Sequence, residues 1–309
     1  MTTPILHHYP PSLFSEKVRA LFGYLGMDWQ SVIIPPIMPR PLLMPLSGGY
    51  RKTPIMQIGA NIYCDTEIIC RTLAQISGQN TLYTPGFVAE RVARWADTEL
   101  FRTTVALNFR PAALSAQMAQ MSGAQLQAFQ EDRAELSGGA PIVAVDPAAA
   151  EADFCGLLEH LASSLSQPFL FGETPSIADF SLYHCLWFVA GNDANTHLIE
   201  ARPEVAAYLQ RMRSFGHGNA MEISAATALQ IGAAATPVEP ADARVDPRLS
   251  GGLTQGAAVH VAANDYGRNP IAGRLVSWQR DEIVILREDE EAGQIMVHFP
   301  NIGFEVSAA

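Results

Sequence analysis

Ser12-Leu13-Phe14-Ser15-Glu16-Lys17-Val18-Arg19 follows a short apolar strand, Ile5 to Tyr9, and opens a helix that runs to about Gly26. Val18, Leu21, Phe22 and Leu25 recur at i, i+3, i+4 and i+7, which gives that helix one apolar face. At a strand-to-helix junction the helix N-terminus presents free N–H groups and the positive end of a dipole. A thiol held there is acidified and its thiolate is retained. Ser12 and Ser15 flank two residues at this junction, where a redox site would carry two cysteines. A serine forms no disulfide, but its hydroxyl donates a hydrogen bond to a thiolate brought by another molecule. Two readings of Ser12 are open: a hydroxyl that activates a bound thiol, or a plain N-cap with Ser15 in the first turn.

Outward from this junction, residues 1 to 80 read as a small α/β unit. A second strand covers Gln30 to Ile34, and Pro35 to Tyr50 is too rich in Pro and Met for a helix and reads as a loop. Pro54 to Ile58 and Asn61 to Cys64 form a hairpin about Gly59-Ala60, and Glu67 to Ile76 a helix. Residues 86 to 220 carry helical patterns at Phe87 to Asn108, about Ser115 to Ala134, Pro147 to Leu165, Ser176 to Ala190 and Pro203 to Ser214, with a break at 137–141. Residues 221 to 249, rich in Ala and Pro, read as a linker. From 250 to 309 the period switches to two, and about five short strands separated by turns predict a small closed β-barrel, SH3-like or tudor-like.

Composition excludes several functions. The net charge of −11 argues against nucleic acid, whose phosphates require clustered Lys and Arg; Lys17 and Lys52 are the two lysines. From residue 236 onward, six Arg face eleven Asp and Glu, which disfavours nucleic acid there too. No run of ~20 apolar residues predicts a membrane span, and Met1-Thr2-Thr3-Pro4 does not begin a secretory signal. Cys64, Cys70, Cys155 and Cys185 lack CxxC or zinc spacing, so free thiols, no metal and a cytoplasmic location are expected.

Three further motifs carry information. Thr53-Pro54, at the start of a strand after a long loop, is predicted to be cis, with the Thr53 N–H and C=O turned toward a ligand lying as an extra strand; an ordinary edge proline is the alternative. Asp65-Thr66 precedes a helix: either residue caps it, or its N–H groups and the Thr66 hydroxyl hold a carboxylate while Asp65 pairs with an ammonium, as the α-amino acid end of a ligand requires. Ser176-Ile177-Ala178-Asp179 is a capping box.

These four motifs, in this order and spacing, resemble a glutathione transferase over residues 1 to about 217. The resemblance implies a thioredoxin-like glutathione-binding domain followed by an all-helical domain. Pro54-Ile55-Met56-Gln57-Ile58 and Cys64-Asp65-Thr66-Glu67-Ile68-Ile69 look like the family's two glutathione-binding segments, and the Ser176 box with Phe180 like its folding motif. The stretch Ser12 to Arg19 is similar to the serine signature of the zeta, delta and omega branches, which makes Ser12 the catalytic position, with Ser15 and Tyr9 as the controls against it. The resemblance further implies glutathione as co-substrate, a small electrophile as second substrate, Thr53, Pro54, Asp65 and Thr66 as glutathione contacts, and a homodimer. A zeta-type cis–trans isomerase uses the same serine, and a glutathione-binding scaffold without chemistry is the reading from another class.

Several residues keep two readings. Pro35 to Pro45 is not the family's usual second helix, so Arg51 or Lys52 either holds the glycine carboxylate of glutathione or is solvated. His7 and His8 alternate on a strand, so at most one faces a ligand. Trp95, Phe101 and Trp187 read as helix-core aromatics; Tyr266, Trp278, Phe299 and Phe304 read as barrel core or a recognition surface.

Overall fold

The computed structural model describes residues 2–110, 113, 122–138 and 145–309. Strand β1 (Ile5–His8), helix α1 (Leu13–Leu25) and strand β2 (Asp28–Ile33) form a βαβ unit, with β1 and β2 parallel. A short helix α2 (Met44–Ser47) interrupts the expected loop. Then follow the hairpin β3 (Ile55–Ile58) and β4 (Asn61–Cys64), and helix α3 (Thr66–Ser77). β3 runs antiparallel to β1. This is the α/β unit expected from the sequence, and Thr53–Pro54 is cis, as is Met38–Pro39.

The helical part comprises α4 (Phe87–Trp95), α5 (Phe101–Asn108), α6 (Gly123–Leu136), α7 (Pro147–Ser164), α8 (Ile177–Ala190), α9 (Thr196–Glu200) and α10 (Pro203–Arg213). The single helix expected over 87–108 is broken by a π-helical turn, Ala96–Leu100, between α4 and α5. Such turns add one residue and redirect the side chains around it; this one carries Asp97. The first part of the helix expected from Ser115 lies outside the described residues, as do 139–141 of the expected break.

The region read as a linker has structure. Asn219–Glu222 forms β5, parallel to β2, and Ala225–Ala234 forms helix α11. Gly232 lets α11 approach α2: a Cβ there would lie 2.6 Å from Leu46 Cδ2. The expected strands follow as β6 (Ala258–Ala263), β7 (Ile271–Trp278), β8 (Ile283–Asp289), β9 (Gly293–Phe299) and β10 (Phe304–Ala308).

The strands read as a small closed barrel over 250–309 do not pair round into a ring. Their order is β10-β6-β7-β8-β9, antiparallel throughout, and β9 then pairs in parallel with β4, so the whole is one ten-stranded sheet, β10-β6-β7-β8-β9-β4-β3-β1-β2-β5. The physical reason is the edge. A four-stranded α/β unit exposes unpaired N–H and C=O groups along both outer strands. Here β9 covers β4, with Ile62 opposite Val297, and β5 covers β2. Asn61 reinforces the joint: its amide exchanges two hydrogen bonds with the Val238 backbone, at 2.7 and 2.8 Å. One hydrophobic cluster accordingly mixes Ile5, Val32, Ile55 and Ile62 with Val259, Ile285, Val297 and Phe299, and a second joins α1 and α3 to the helical part. Among the described residues no helix is long and apolar enough to cross a membrane.

Candidate active site

Strand register gathers the motifs. His7 at the end of β1 lies opposite Ile55 at the start of β3, and Ile55 opposite Cys64 at the end of β4. The residues just beyond, Ser12 after β1, Thr53-Pro54 before β3 and Asp65-Thr66 after β4, therefore share one end of the sheet. Two helix N-termini, those of α1 and α3, open at that end.

Ser12 is buried and caps α1: its Oγ accepts the Ser15 N–H at 3.2 Å. Ser15 Oγ is buried with no partner among the described residues. Asp65 caps α3, accepting the Glu67 N–H at 2.9 Å, and holds φ 97°, ψ 142°. A positive φ in a non-glycine residue is costly, on the order of 1–3 kcal/mol, and persists where the surroundings over-determine it. Burial pushes the Asp65 carboxyl up, against the opposing pull of Lys52 and the Glu67 N–H.

A buried cation that the sequence reading passed over supports the α3 end. Lys17 Nζ lies 2.6 Å from Asp97 Oδ2 and 3.4 Å from Thr66 Oγ1. Burial opposes its charge, but the Asp97 carboxylate outweighs that and holds the ammonium above its ordinary range. Asp97, conversely, is held below the usual carboxylate range despite its burial; it also accepts from His184 Nε2 at 2.9 Å and Ser181 Oγ at 3.2 Å. An ammonium has donors only. Thr66 Oγ1 thus accepts from Lys17, and its own hydrogen remains to be donated elsewhere.

The neighbouring cations are paired rather than solvated. Arg51 is buried against Asp132 and Glu135 of α6, each at 2.8 Å. Lys52 reaches Asp265, in the connection between β6 and β7, at 2.5 Å. Arg40 donates to Thr53 Oγ1 at 3.0 Å and to the Arg51 carbonyl at 2.9 Å. His7 and His8 are buried in structural hydrogen bonds, to Gln57 and to Ser31 and Arg19. Trp95 and Trp187 pack on the main core, while Phe101 lies tilted against Phe14 at 5.0 Å and stacks on Tyr266 at 6.4 Å. Phe299 and Phe304 are buried and Trp278 packs beside them; Tyr266 instead leaves the strand region to meet α5. Among the described residues no group of three or more His, Cys, Asp or Glu is placed to hold a metal ion.

A thioredoxin-like sheet is joined to a helical bundle, with two helix N-termini at one sheet end. Residues 6–81 match the family model "Glutathione S-transferase, N-terminal domain" and residues 128–211 match "Glutathione S-transferase, C-terminal domain". A solved GST-like protein from Pseudomonas syringae is 38% identical over 100% of both chains, with a TM-score of 0.79, so the likeness includes the C-terminal strands. A Populus trichocarpa glutathione transferase is 16% identical over 68% of this chain and 93% of its own, TM-score 0.50, a likeness of fold. No curated protein matches the chain. The chain belongs to the glutathione S-transferase family.

Proposed function

We propose that this protein is a glutathione transferase that activates the glutathione thiolate for attack on a small electrophile. The observation that carries the reading is the register His7–Ile55–Cys64, which gathers Ser12, Thr53-Pro54 and Asp65-Thr66 at one sheet end within a chain of this family. In this reading the tripeptide lies along Thr53-Pro54, its α-amino acid end meets Asp65 and Thr66, and its sulfur sits at the N-terminus of α1. Ser12 Oγ–H donates to the sulfur, and the thiol proton leaves to solvent. The S–C bond forms as the electrophile's leaving group departs with its bonding pair. The reading includes a homodimer, tested by light scattering for twice the chain mass, and a cytoplasmic location. The order β10-β6-β7-β8-β9, with the last strand beside the first, is taken as an SH3-like meander that covers the β4 edge.

Ser12→Ala is expected to raise the thiol pKa of bound glutathione by about one to two units, one charge-assisted hydrogen bond being worth ~1.5–3 kcal/mol, and to lower the rate more than the affinity. Thiolate absorbance titrated against pH on wild type, Ser12→Ala, Ser15→Ala and Tyr9→Phe decides it. An unchanged Ser12→Ala beside a shifted control returns Ser12 to a cap. The Oγ bond to the Ser15 N–H supports the capping role and leaves the Ser12 hydroxyl hydrogen to be donated, so in that outcome the active hydroxyl is Ser15 or Tyr9. Turnover with aryl halides and with maleyl compounds separates transferase, zeta-type isomerase and scaffold, the last giving neither.

Thr66→Val is expected to weaken glutathione binding by ~1.5–3 kcal/mol, the cost of a hydrogen bond to a charged group, with under ~1 kcal/mol lost in folding because Asp65 remains the cap. Calorimetry and thermal melts on the same samples check both. A lowered melting point with unchanged affinity contradicts the carboxylate site.

A further inference from the structure

The connection between β6 and β7, residues 264–270, leaves the C-terminal strands and reaches the sheet end that carries the site. Three successive residues hold it there. Asp265 Oδ1 pairs with Lys52 Nζ at 2.5 Å. The Tyr266 ring lies 4.2 Å from that ammonium and stacks on Phe101 of α5 at 19°. The Gly267 N–H donates to the Leu136 carbonyl at the end of α6, at 2.8 Å. Gly267 holds φ +63°, and a Cβ there would press on Leu136 Cδ1 at 3.1 Å, so the loop can seat this closely only with glycine.

Lys52 adjoins Thr53-Pro54. The other cations at this end are committed to fixed partners: Lys17 to Asp97, Arg51 to α6, Arg40 to backbone carbonyls and Thr53. The anion on Lys52 alone comes from an exposed loop. The Lys52 side chain is 12% exposed and that of Asp265 36%. A carboxylate arriving from solution can replace Asp265 on the same ammonium with the charge pairing conserved. Such an exchange is nearly balanced, since ion pairs open to water contribute little. A carboxylate tethered on a short loop acts at an effective concentration on the order of millimolar.

We propose that Asp265 is an internal competitor for Lys52, so that the β6–β7 loop sets the affinity of the site for a ligand that brings its own carboxylate. This rests on the glutathione reading, because glutathione carries a carboxylate at each end. With Asp265 displaced, the Tyr266 and Gly267 contacts hold the loop without the ion pair, so it opens more often.

The test is calorimetry with glutathione on wild type, Asp265→Asn, Lys52→Met and the double variant, together with hydrogen exchange at the Gly267 amide. Asp265→Asn is expected to tighten binding about 2- to 5-fold, the range of a partly exposed ion pair, and to speed Gly267 exchange. Lys52→Met is expected to weaken binding, and Asp265→Asn to add nothing in the Lys52→Met background, because its effect passes through Lys52. Binding that weakens or stays unchanged in Asp265→Asn overturns the proposal, as does equal tightening in both backgrounds. If none of the four proteins binds glutathione at millimolar concentration while Gly267 exchange rises in Asp265→Asn, the glutathione reading fails and the Lys52–Asp265 latch stands. Unchanged exchange overturns the latch.

Discussion

Asp179→Ala is expected to lower the unfolding free energy by ~3–5 kcal/mol, the range for breaking a buried, fully bonded charge site. Its carboxylate is inaccessible to solvent, and both oxygens are saturated. Oδ2 accepts the Ser176 N–H and hydroxyl, each at 2.8 Å; Oδ1 accepts the Leu170 N–H at 2.9 Å and the Tyr208 hydroxyl at 3.0 Å. Burial pushes the carboxyl above its ordinary range although these four donors oppose it. Alanine removes the acceptor from two backbone N–H groups and a tyrosine hydroxyl, each orphan costing ~1–3 kcal/mol. A capping box alone is worth about 1 kcal/mol; the excess comes from the Leu170 and Tyr208 bonds, which tie the start of α8 to the preceding loop and to α10. The consequence reaches the site. α8 also carries Ser181, Tyr183 and His184, which hold Asp97 and Glu16. Urea unfolding of wild type, Asp179→Ala and Asp179→Asn measures it, with Asn intermediate because one acceptor oxygen remains. A loss under ~1 kcal/mol in the alanine variant reduces Asp179 to an ordinary cap.

What was legible in the sequence was local. The Ser12 junction, Thr53-Pro54, Asp65-Thr66 and the Ser176 box each sit within a few residues, and each has a backbone reason to be where it is. The partner of β9 was not legible. Alternation marks a strand but does not name its neighbour, and β4 lies more than 230 positions earlier. One cue was present: Ile295 to Phe299 are buried on both faces, as in a strand interior to a sheet, and Ile-Met-Val in succession departs from strict alternation. Helix α11 was hidden by composition, because the small residues that let it sit on α2 also resemble a linker. Lys17 carried a readable signal. It stands four residues from both Leu13 and Leu21, on the apolar stripe of α1, where a cation requires a buried anion. The identity of that anion was not readable, since Asp97 is 80 residues away on a π turn. The Lys52–Asp265 pair, 213 residues apart, is of the same kind.

The last expectation concerns acid. His7 and His8 are buried on β1, and burial lowers their pKa values to about 4 and about 3, with Arg19 adding to the effect at His8. Burial is the main cause at both rings, and at His7 the bond to Gln57 opposes it only in part. His7 Nε2 donates to Gln57 Oε1 at 3.0 Å, and its Nδ1 has no partner among the described residues. His8 Nδ1 accepts from Arg19 Nη1 at 3.1 Å, so a proton there would face a guanidinium. With folded pKa values depressed below the unfolded ~6.5, the unfolded chain takes up protons first. The stability of the neutral rings is fully present above pH 6.5 and is lost as pH falls toward 4, at ~1.4 kcal/mol per pH unit for each ring. Glu67, raised to about 7 by burial and by Asp65, works in the opposite direction over the same interval, so the wild-type profile alone mixes the two. A difference isolates the histidines. The stability advantage of wild type over His7→Gln, whose amide nitrogen can replace Nε2 as donor, is expected to shrink by ~2–3 kcal/mol between pH 7 and 4.5, and likewise for His8→Gln. Guanidinium unfolding of the three proteins at half-unit pH steps gives the curves. Parallel curves across that range would mean that both rings titrate normally in the folded protein.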